Sequence, residues 1–262
     1  PKNPMLNKST VMAMGAISLK KTGEPLCMSE MTILTALRTA ATSALAGKYL
    51  AKKDSCVLTL IGTGAQSEFQ SLAFSAVFDI KTIRYFDIDA DAMSKFEKNM
   101  APYDFELIRC KNSSEAVLGA HIITTITADK TNQTILTTSM VPKGVFINGV
   151  GGDCPGKTEL QKDILENAKV VVEYLQQTKT EGEIQQTGVE VVHAELFELV
   201  KKTKIGRINE DEITIFDSVG FALEDYSALK LVYDLAQEYG LGRQIELIPN
   251  LENPKDLFST IK

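Results

Sequence analysis

The stretch Leu58-Thr59-Leu60-Ile61-Gly62-Thr63-Gly64-Ala65-Gln66-Ser67 decides the fold. An apolar run ends in Gly-x-Gly and passes straight into a helix-compatible segment, the order of a strand, a tight turn and a helix. Gly62 permits the sharp turn, and Gly64 lets a phosphate reach the helix N-terminus, where unpaired N–H groups and the helix dipole favour anions. Ser67 stands where the usual fingerprint has its third glycine, and glycine turns before helices are common, so the motif needs a second piece. That piece is Asp87, which ends the next apolar run, Thr82-Ile83-Arg84-Tyr85-Phe86. A carboxylate there accepts hydrogen bonds from adenosine ribose hydroxyls and repels a 2′-phosphate. No arginine follows it, so the pattern favours NAD over NADP. Asp87 and Asp89 also precede a helix and could serve only as caps; the two pieces in the right order favour the dinucleotide.

Outward from this centre, strands alternate with helices. Apolar runs at residues 56–61, 81–87, 105–110, 121–125, 145–150, 168–174 and 213–217 read as strands. Between the first four lie helical segments at 66–78, 91–100 and 113–118, and polar or helical connectors join the later strands. Such alternation predicts a parallel sheet covered on both faces. Ahead of it, residues 9–29 alternate loosely between apolar and polar about the turn Lys20-Lys21-Thr22-Gly23, the pattern of an antiparallel hairpin. An Ala-rich helix over 30–52 carries Leu34, Leu37, Ala41, Ala44 and Leu45 at helical spacing. A last helix, 224–239, stops at Gly240 and should cross back to the hairpin, because the final residues hold too little apolar material to fold alone. Thr124-Thr125-Ile126-Thr127 ends one strand in small hydroxyl residues that could line a cofactor groove, although threonines suit any strand.

The 262 residues carry a net charge of −6 and have a pI near 5.2. That balance argues against nucleic acid or anionic lipid as partner, since either needs a basic face, and favours a small-molecule ligand. No run approaches the roughly 18 apolar residues of a membrane helix, which makes a cytoplasmic location the default expectation. Cys27, Cys56, Cys110 and Cys154 are dispersed, and only two histidines, His121 and His193, accompany them, so neither a metal site nor a disulfide framework is expected. Both histidines sit in apolar surroundings and read as structural; Cys154 is the thiol whose neighbourhood invites a check for reactivity. The chain opens on Pro1-Lys2-Asn3-Pro4 without an initiator Met and reads as a fragment or a processed chain.

One further loop carries the chemistry. Gly151-Gly152-Asp153-Cys154-Pro155-Gly156-Lys157-Thr158-Glu159-Leu160 follows the apolar run ending at Val150 and places a carboxylate and an ammonium four residues apart. Loops at the carboxyl ends of strands are where open α/β sheets bind ligands. Asp153 is the candidate proton-transfer group, with Lys157 beside a phosphate or carbonyl. Arg38, set among Leu37, Ala40 and Ala41, suits a buried anion better than a bare surface.

This loop, with Leu37-Arg38-Thr39-Ala40-Ala41, Gly62-Thr63-Gly64-Ala65-Gln66 and Phe216-Asp217-Ser218-Val219-Gly220-Phe221-Ala222-Leu223-Glu224-Asp225, resembles the ornithine cyclodeaminase and mu-crystallin family over essentially the whole chain. The wording Asp-Cys-Pro-Gly-Lys-Thr-Glu-Leu is closest to the ornithine cyclodeaminase branch. The resemblance implies an α/β fold: a Rossmann-type doubly wound parallel sheet over 51–223 binding NAD, plus a smaller α+β substrate and dimerisation domain from 1–50 and 224–262, in a homodimer. It implies Asp153 as acid/base and substrate contact, Val219 as a second substrate contact, and Thr10, Arg38, Gly62, Gly64, Ala65, Gln66, Asp87, Thr127, Ile147, Asn148, Gly149, Val150, Lys157 and Ser218 at the cofactor. Family members also extend upstream of the position of Pro1, and that stretch supplies an arginine and a lysine for the substrate carboxylate and part of the dimer sheet. The implied activity is conversion of L-ornithine to L-proline and ammonia, a step of proline biosynthesis, with NAD recycled in each turnover. An NAD-linked amino or imino acid dehydrogenase or ketimine reductase, a lysine cyclodeaminase, or a non-catalytic crystallin-like dinucleotide-binding protein are the alternatives.

Overall fold

A computed structural model describes residues 3–128 and 133–261. The chain begins with the antiparallel hairpin of β1 (Met14–Ser18) and β2 (Pro25–Glu30), followed by helix α1 (Thr32–Leu50). Then come β3 (Val57–Ile61), α2 (Ser67–Ser75), β4 (Thr82–Phe86), α3 (Ala90–Met100), β5 (Glu106–Arg109), α4 (Ser113–Ala116) and β6 (Ile122–Thr125). The second half holds β7 (Phe146–Gly149), α5 (Lys162–Glu166), β8 (Lys169–Val172), α6 (Leu175–Glu181), β9 (Val192–Glu195), α7 (Leu196–Val200), β10 (Thr214–Asp217) and α8 (Ala222–Tyr239).

Eight strands form one sheet in the order β5-β4-β3-β6-β7-β10-β8-β9, every pairing parallel. Alternate residues of the central strands enter opposite cores. Leu58, Leu60, Ile122, Phe146, Val171 and Phe216 pack on one face, and Ile61, Ile123, Ile147, Val170, Val172 and Ile215 on the other. The near-continuous apolar runs of the sequence are thus strands buried on both sides. The chain runs outward from β3 through β4 to β5, then returns to build β6 and β7 on the other side of β3. That reversal opens a crevice at the carboxyl ends of β3 and β6.

Two features differ from the sequence expectation. The edge strand β9 lies in what reads as a connector, because only four residues form it and His193 and Glu195 break its apolar pattern. Helix α1 serves both sheets: Ala44, Ala46 and Leu50 enter the core of the large sheet, while Leu34 packs with Ile17, Met31 and Leu229 beneath the hairpin. Leu229 belongs to α8, so the last helix does cross back to the hairpin. Both histidines take backbone partners: His121 Nδ1 accepts from the Cys56 N–H at 3.0 Å, and His193 Nε2 lies 2.9 Å from the Ile205 carbonyl.

Candidate active site

At the carboxyl end of β3 the turn bends so tightly that Gly62 has φ +107°, and a Cβ there would lie 2.7 Å from the Ile126 carbonyl oxygen. Asp87, at the end of β4, fixes this turn: its Oδ2 accepts from the Thr63 N–H at 2.6 Å and hydroxyl at 3.2 Å, while Oδ1 accepts from the Asp89 N–H at 3.0 Å. One acceptor position on Oδ1 remains, enough for a ribose hydroxyl. A Cβ on Gly64 would meet nothing within 4 Å, so the backbone ahead of α2 is open to a close ligand. Gln66 keeps a buried Oε1 without a hydrogen-bond donor among the described residues. An anionic acceptor at β4 and an open glycine turn before a helix fit a dinucleotide lacking a 2′-phosphate.

A second group gathers at β6 and β7. The Lys157 side chain is only 3% exposed; its Nζ donates to the Thr127 carbonyl at 2.7 Å and lies 3.4 Å from Asp153 Oδ1. Asp153 itself is half exposed, at 53%, so the loop anchors its ammonium inward and presents its carboxylate outward. Glu159 Oε1 accepts from the N–H and hydroxyl of Thr127. The N–H groups of Glu159 and Leu160 donate to Glu183, at 2.7 and 3.1 Å, and those of Glu183 and Ile184 donate to Asp217, at 2.9 and 3.0 Å. Each buried carboxylate therefore holds the backbone that carries the next. Burial pushes the Glu159 and Glu183 carboxyls up, Glu183 further because Asp217 adds a like charge, and burial raises Asp217 to about 7.

Ser218 continues β10, its N–H bonded to the Gly149 carbonyl at 2.9 Å, which sets it beside the end of β7. Glu173 then gathers the 218–220 turn, accepting from the Ser218 hydroxyl at 3.3 Å and the Val219 N–H at 2.9 Å, and from the Gly220 N–H. Ile147, Asn148 and Gly149 are buried in β7; Asn148 donates from its side-chain amide to Gln70 and Thr124 at 3.1 and 3.2 Å. Val150 and Gly151 cap the neighbouring strand through the Thr125 carbonyl. Arg38 is engaged by α8, with Nη1 at 3.1 Å from Glu224 and Nε at 3.0 Å from Asp225. Thr10 lies on the segment before β1, its carbonyl accepting from Asn3, and no contact among the described residues ties it to the sheet edge. The buried carboxylates Glu159, Glu173, Glu183 and Asp217 are the residues that sequence reasoning did not single out. Two of them, Glu173 and Asp217, come at the carboxyl ends of predominantly apolar strand runs just as Asp87 does.

The fold and this edge define a Rossmann-type α/β protein with a dinucleotide crevice and a carboxylate–ammonium pair beside it. The model of the ornithine cyclodeaminase/mu-crystallin family matches residues 1–240, and the chain belongs to that family. It is 49% identical to an ornithine cyclodeaminase of Agrobacterium fabrum over 261 residues, covering 100% of this chain and 74% of that protein. An archaeal alanine dehydrogenase dimer with bound NAD superposes with a TM-score of 0.89 at 37% identity, over 95% of this chain and 78% of that one. A lysine cyclodeaminase, described in terms of recognition of L-lysine, L-ornithine and L-2,4-diaminobutyric acid, gives 0.89 at 32% identity, over 97% of this chain and 75% of that one.

Proposed function

We propose that this protein is an NAD-dependent cyclising ammonia-lyase that converts L-ornithine to L-proline and ammonia. The observation that carries the reading is Asp153, exposed at the carboxyl edge of the sheet and braced by the buried Lys157 at 3.4 Å, in a chain 49% identical to an ornithine cyclodeaminase. NAD, held by the Gly62–Gln66 turn and Asp87, would supply reversible hydride acceptance at the substrate carbon, so that no net redox change results. The Asp153 carboxylate attracts the δ-ammonium and accepts its proton, freeing the amine to attack the oxidised α-carbon. The α-nitrogen leaves as ammonia, and Asp153 returns the proton to it. Lys157 keeps Asp153 in place by holding one of its oxygens while its own position is fixed by the Thr127 carbonyl.

The remaining roles follow the same reading. Arg38, Asp87, Thr127, Lys157, Ser218 and the backbone at 62–66 and 147–150 hold the cofactor, with Thr10 reaching it from the N-terminal segment, and Val219 touches the substrate. Residues 51–223 act as the nucleotide domain and the two chain ends as the substrate and dimerisation domain of a cytoplasmic homodimer serving proline biosynthesis. The test is stoichiometry: L-ornithine with catalytic NAD should give equal proline and ammonia with no accumulation of NADH. Net NADH consumption with pyruvate plus ammonia, or with a cyclic imine, would replace this reading by a reductase, the alternative favoured by the likeness to the alanine dehydrogenase.

A further inference from the structure

Three donors gather around the Gly64 carbonyl in the turn between β3 and α2. Lys95 Nζ, on α3, lies at 2.9 Å, the Ser67 hydroxyl at 2.8 Å and the Ser67 N–H at 3.4 Å. A trans peptide sets its C=O and N–H on opposite sides, so a carbonyl drawn toward α2 and α3 turns the Ala65 N–H the other way. That N–H, like those of Gly64 and Gln66, has no acceptor among the described residues, and a Cβ on Gly64 would meet nothing within 4 Å. Successive free N–H groups beside open space form a cradle for an anion. The Lys95 ammonium also donates to both oxygens of Glu68, at 2.7 and 3.0 Å, which uses all three of its protons. Glu68 is the carboxylate of the first turn of α2, and its side chain is only 14% exposed. Left bare, it would repel a phosphate at this turn. The Ser67 hydroxyl has one proton for two acceptors, the Gly64 carbonyl and Glu68 Oε2 at 2.9 Å, so Lys95 is the donor that serves both at once.

We propose that Lys95 is a positioning residue for the phosphates of the dinucleotide. By holding the Gly64 carbonyl it aims the Ala65 N–H at the crevice, and by pairing with Glu68 it neutralises the charge that would oppose the anion. Ser67 then has a reason to stand where the usual fingerprint has glycine: its hydroxyl packs onto the same carbonyl. The inference rests on the 62–66 turn holding the cofactor, as proposed above.

The test is nucleotide binding without any amino acid, read from NADH fluorescence with ADP and adenosine as competitors, in the parent, Lys95→Met and Glu68→Gln. The Lys95 side chain is 41% exposed, and ion pairs at such positions add little to stability, so both variants should fold. Lys95→Met should weaken NADH and ADP by roughly tenfold, the scale of one lost interaction with a charged group. Adenosine, which carries no phosphate, should compete as it does in the parent. Glu68→Gln should bind ADP at least as tightly as the parent, since it takes negative charge from the turn while Lys95 keeps the Gly64 carbonyl. Unchanged ADP affinity in Lys95→Met, or an equal loss for ADP and adenosine, would overturn the proposal. So would a loss of ADP affinity in Glu68→Gln that matches the loss in Lys95→Met, the mark of an ion pair that only supports the fold. Should the parent bind neither NADH nor ADP, the reading of the turn itself falls and takes this role with it. Failure to turn over ornithine would sink the proposed activity and leave these affinities standing.

Discussion

The buried ammonium of Lys157 reaches the backbone carbonyl of Thr127 at 2.7 Å, tying the loop after β7 to the residues that follow β6. The same threonine gives its N–H and hydroxyl to Glu159. Two residues of one loop, an ammonium and a carboxyl, thus grip one residue of another, and Asp153, four residues ahead of Lys157, is carried on that anchored loop at an exposed position.

Asp153→Asn should leave the fold unchanged, because the asparagine side-chain oxygen still accepts from Lys157, whose ammonium keeps the Thr127 carbonyl. Proline formation from ornithine should fall by about 10²- to 10⁴-fold, the usual contribution of a positioned acid/base group. Turnover near the parent rate would remove Asp153 from the chemistry.

Asp87→Ser takes away the carboxylate that receives Thr63 and Asp89. Dissociation constants for NADH and NADPH should converge, through weaker NADH binding and relief of repulsion toward the 2′-phosphate. An unchanged ratio would exclude the ribose role. Stability should drop by about 1–3 kcal/mol where the Thr63 N–H loses its partner.

Gly151→Ala tests the close approach of Glu159 to the loop. A Cβ at this position would stand 1.9 Å from Glu159 Oε2, in a place where the carboxylate is held by Thr127 and cannot swing clear. Overpacking of this kind costs about 1–3 kcal/mol, and the displaced loop should lose activity beyond the loss of stability. A denaturation midpoint equal to the parent's would show that Glu159 is freer than its contacts imply.

The raised carboxyls predict a pH dependence of stability. Glu159, Glu183, Asp217 and Glu224 all titrate above their ordinary values, so the folded chain holds protons that the unfolded chain has lost. Stability is then greatest below the unfolded carboxylate range and falls as pH rises, Asp217 contributing until about 7 and Glu224 until about 9. Each extra proton gives a slope of about 1.4 kcal/mol per pH unit. Glu68 and Glu212 titrate low and act the other way, but only in acid. Urea midpoints measured from about pH 5.5 to 8.5 should decline steadily; a rise across that window would contradict the protonated interior.

The sheet and its ligand edge were legible in the sequence because parallel strands buried on both faces are written as continuous apolar runs, and Gly62, Gly64 and Asp87 follow two of them in the required order. Strand β9 was hidden because four residues with two polar side chains carry too little pattern. The buried acids were harder to see. Glu183 lies in a stretch of glutamines and glutamates that reads as solvated surface, and only its bonds to Glu159 and Leu160 from another segment show that it is interior. Arg38 was recognisable as an anion partner, whereas its pairing with Glu224 and Asp225 joins residues 186 and 187 positions apart.

Strand β10 is made late yet sits between two strands made earlier, β7 and β8. Until residues 214–217 emerge during synthesis, β7 and β8 each offer an unpaired edge to solvent and to other chains. A nascent or truncated chain ending before this point would carry a slot in the middle of its sheet, and the Asp153 loop would have no seat for the backbone that Asp217 secures. Assembly of the candidate ligand edge is therefore a closing event, and the half-made protein is the species most in need of protection from its own kind.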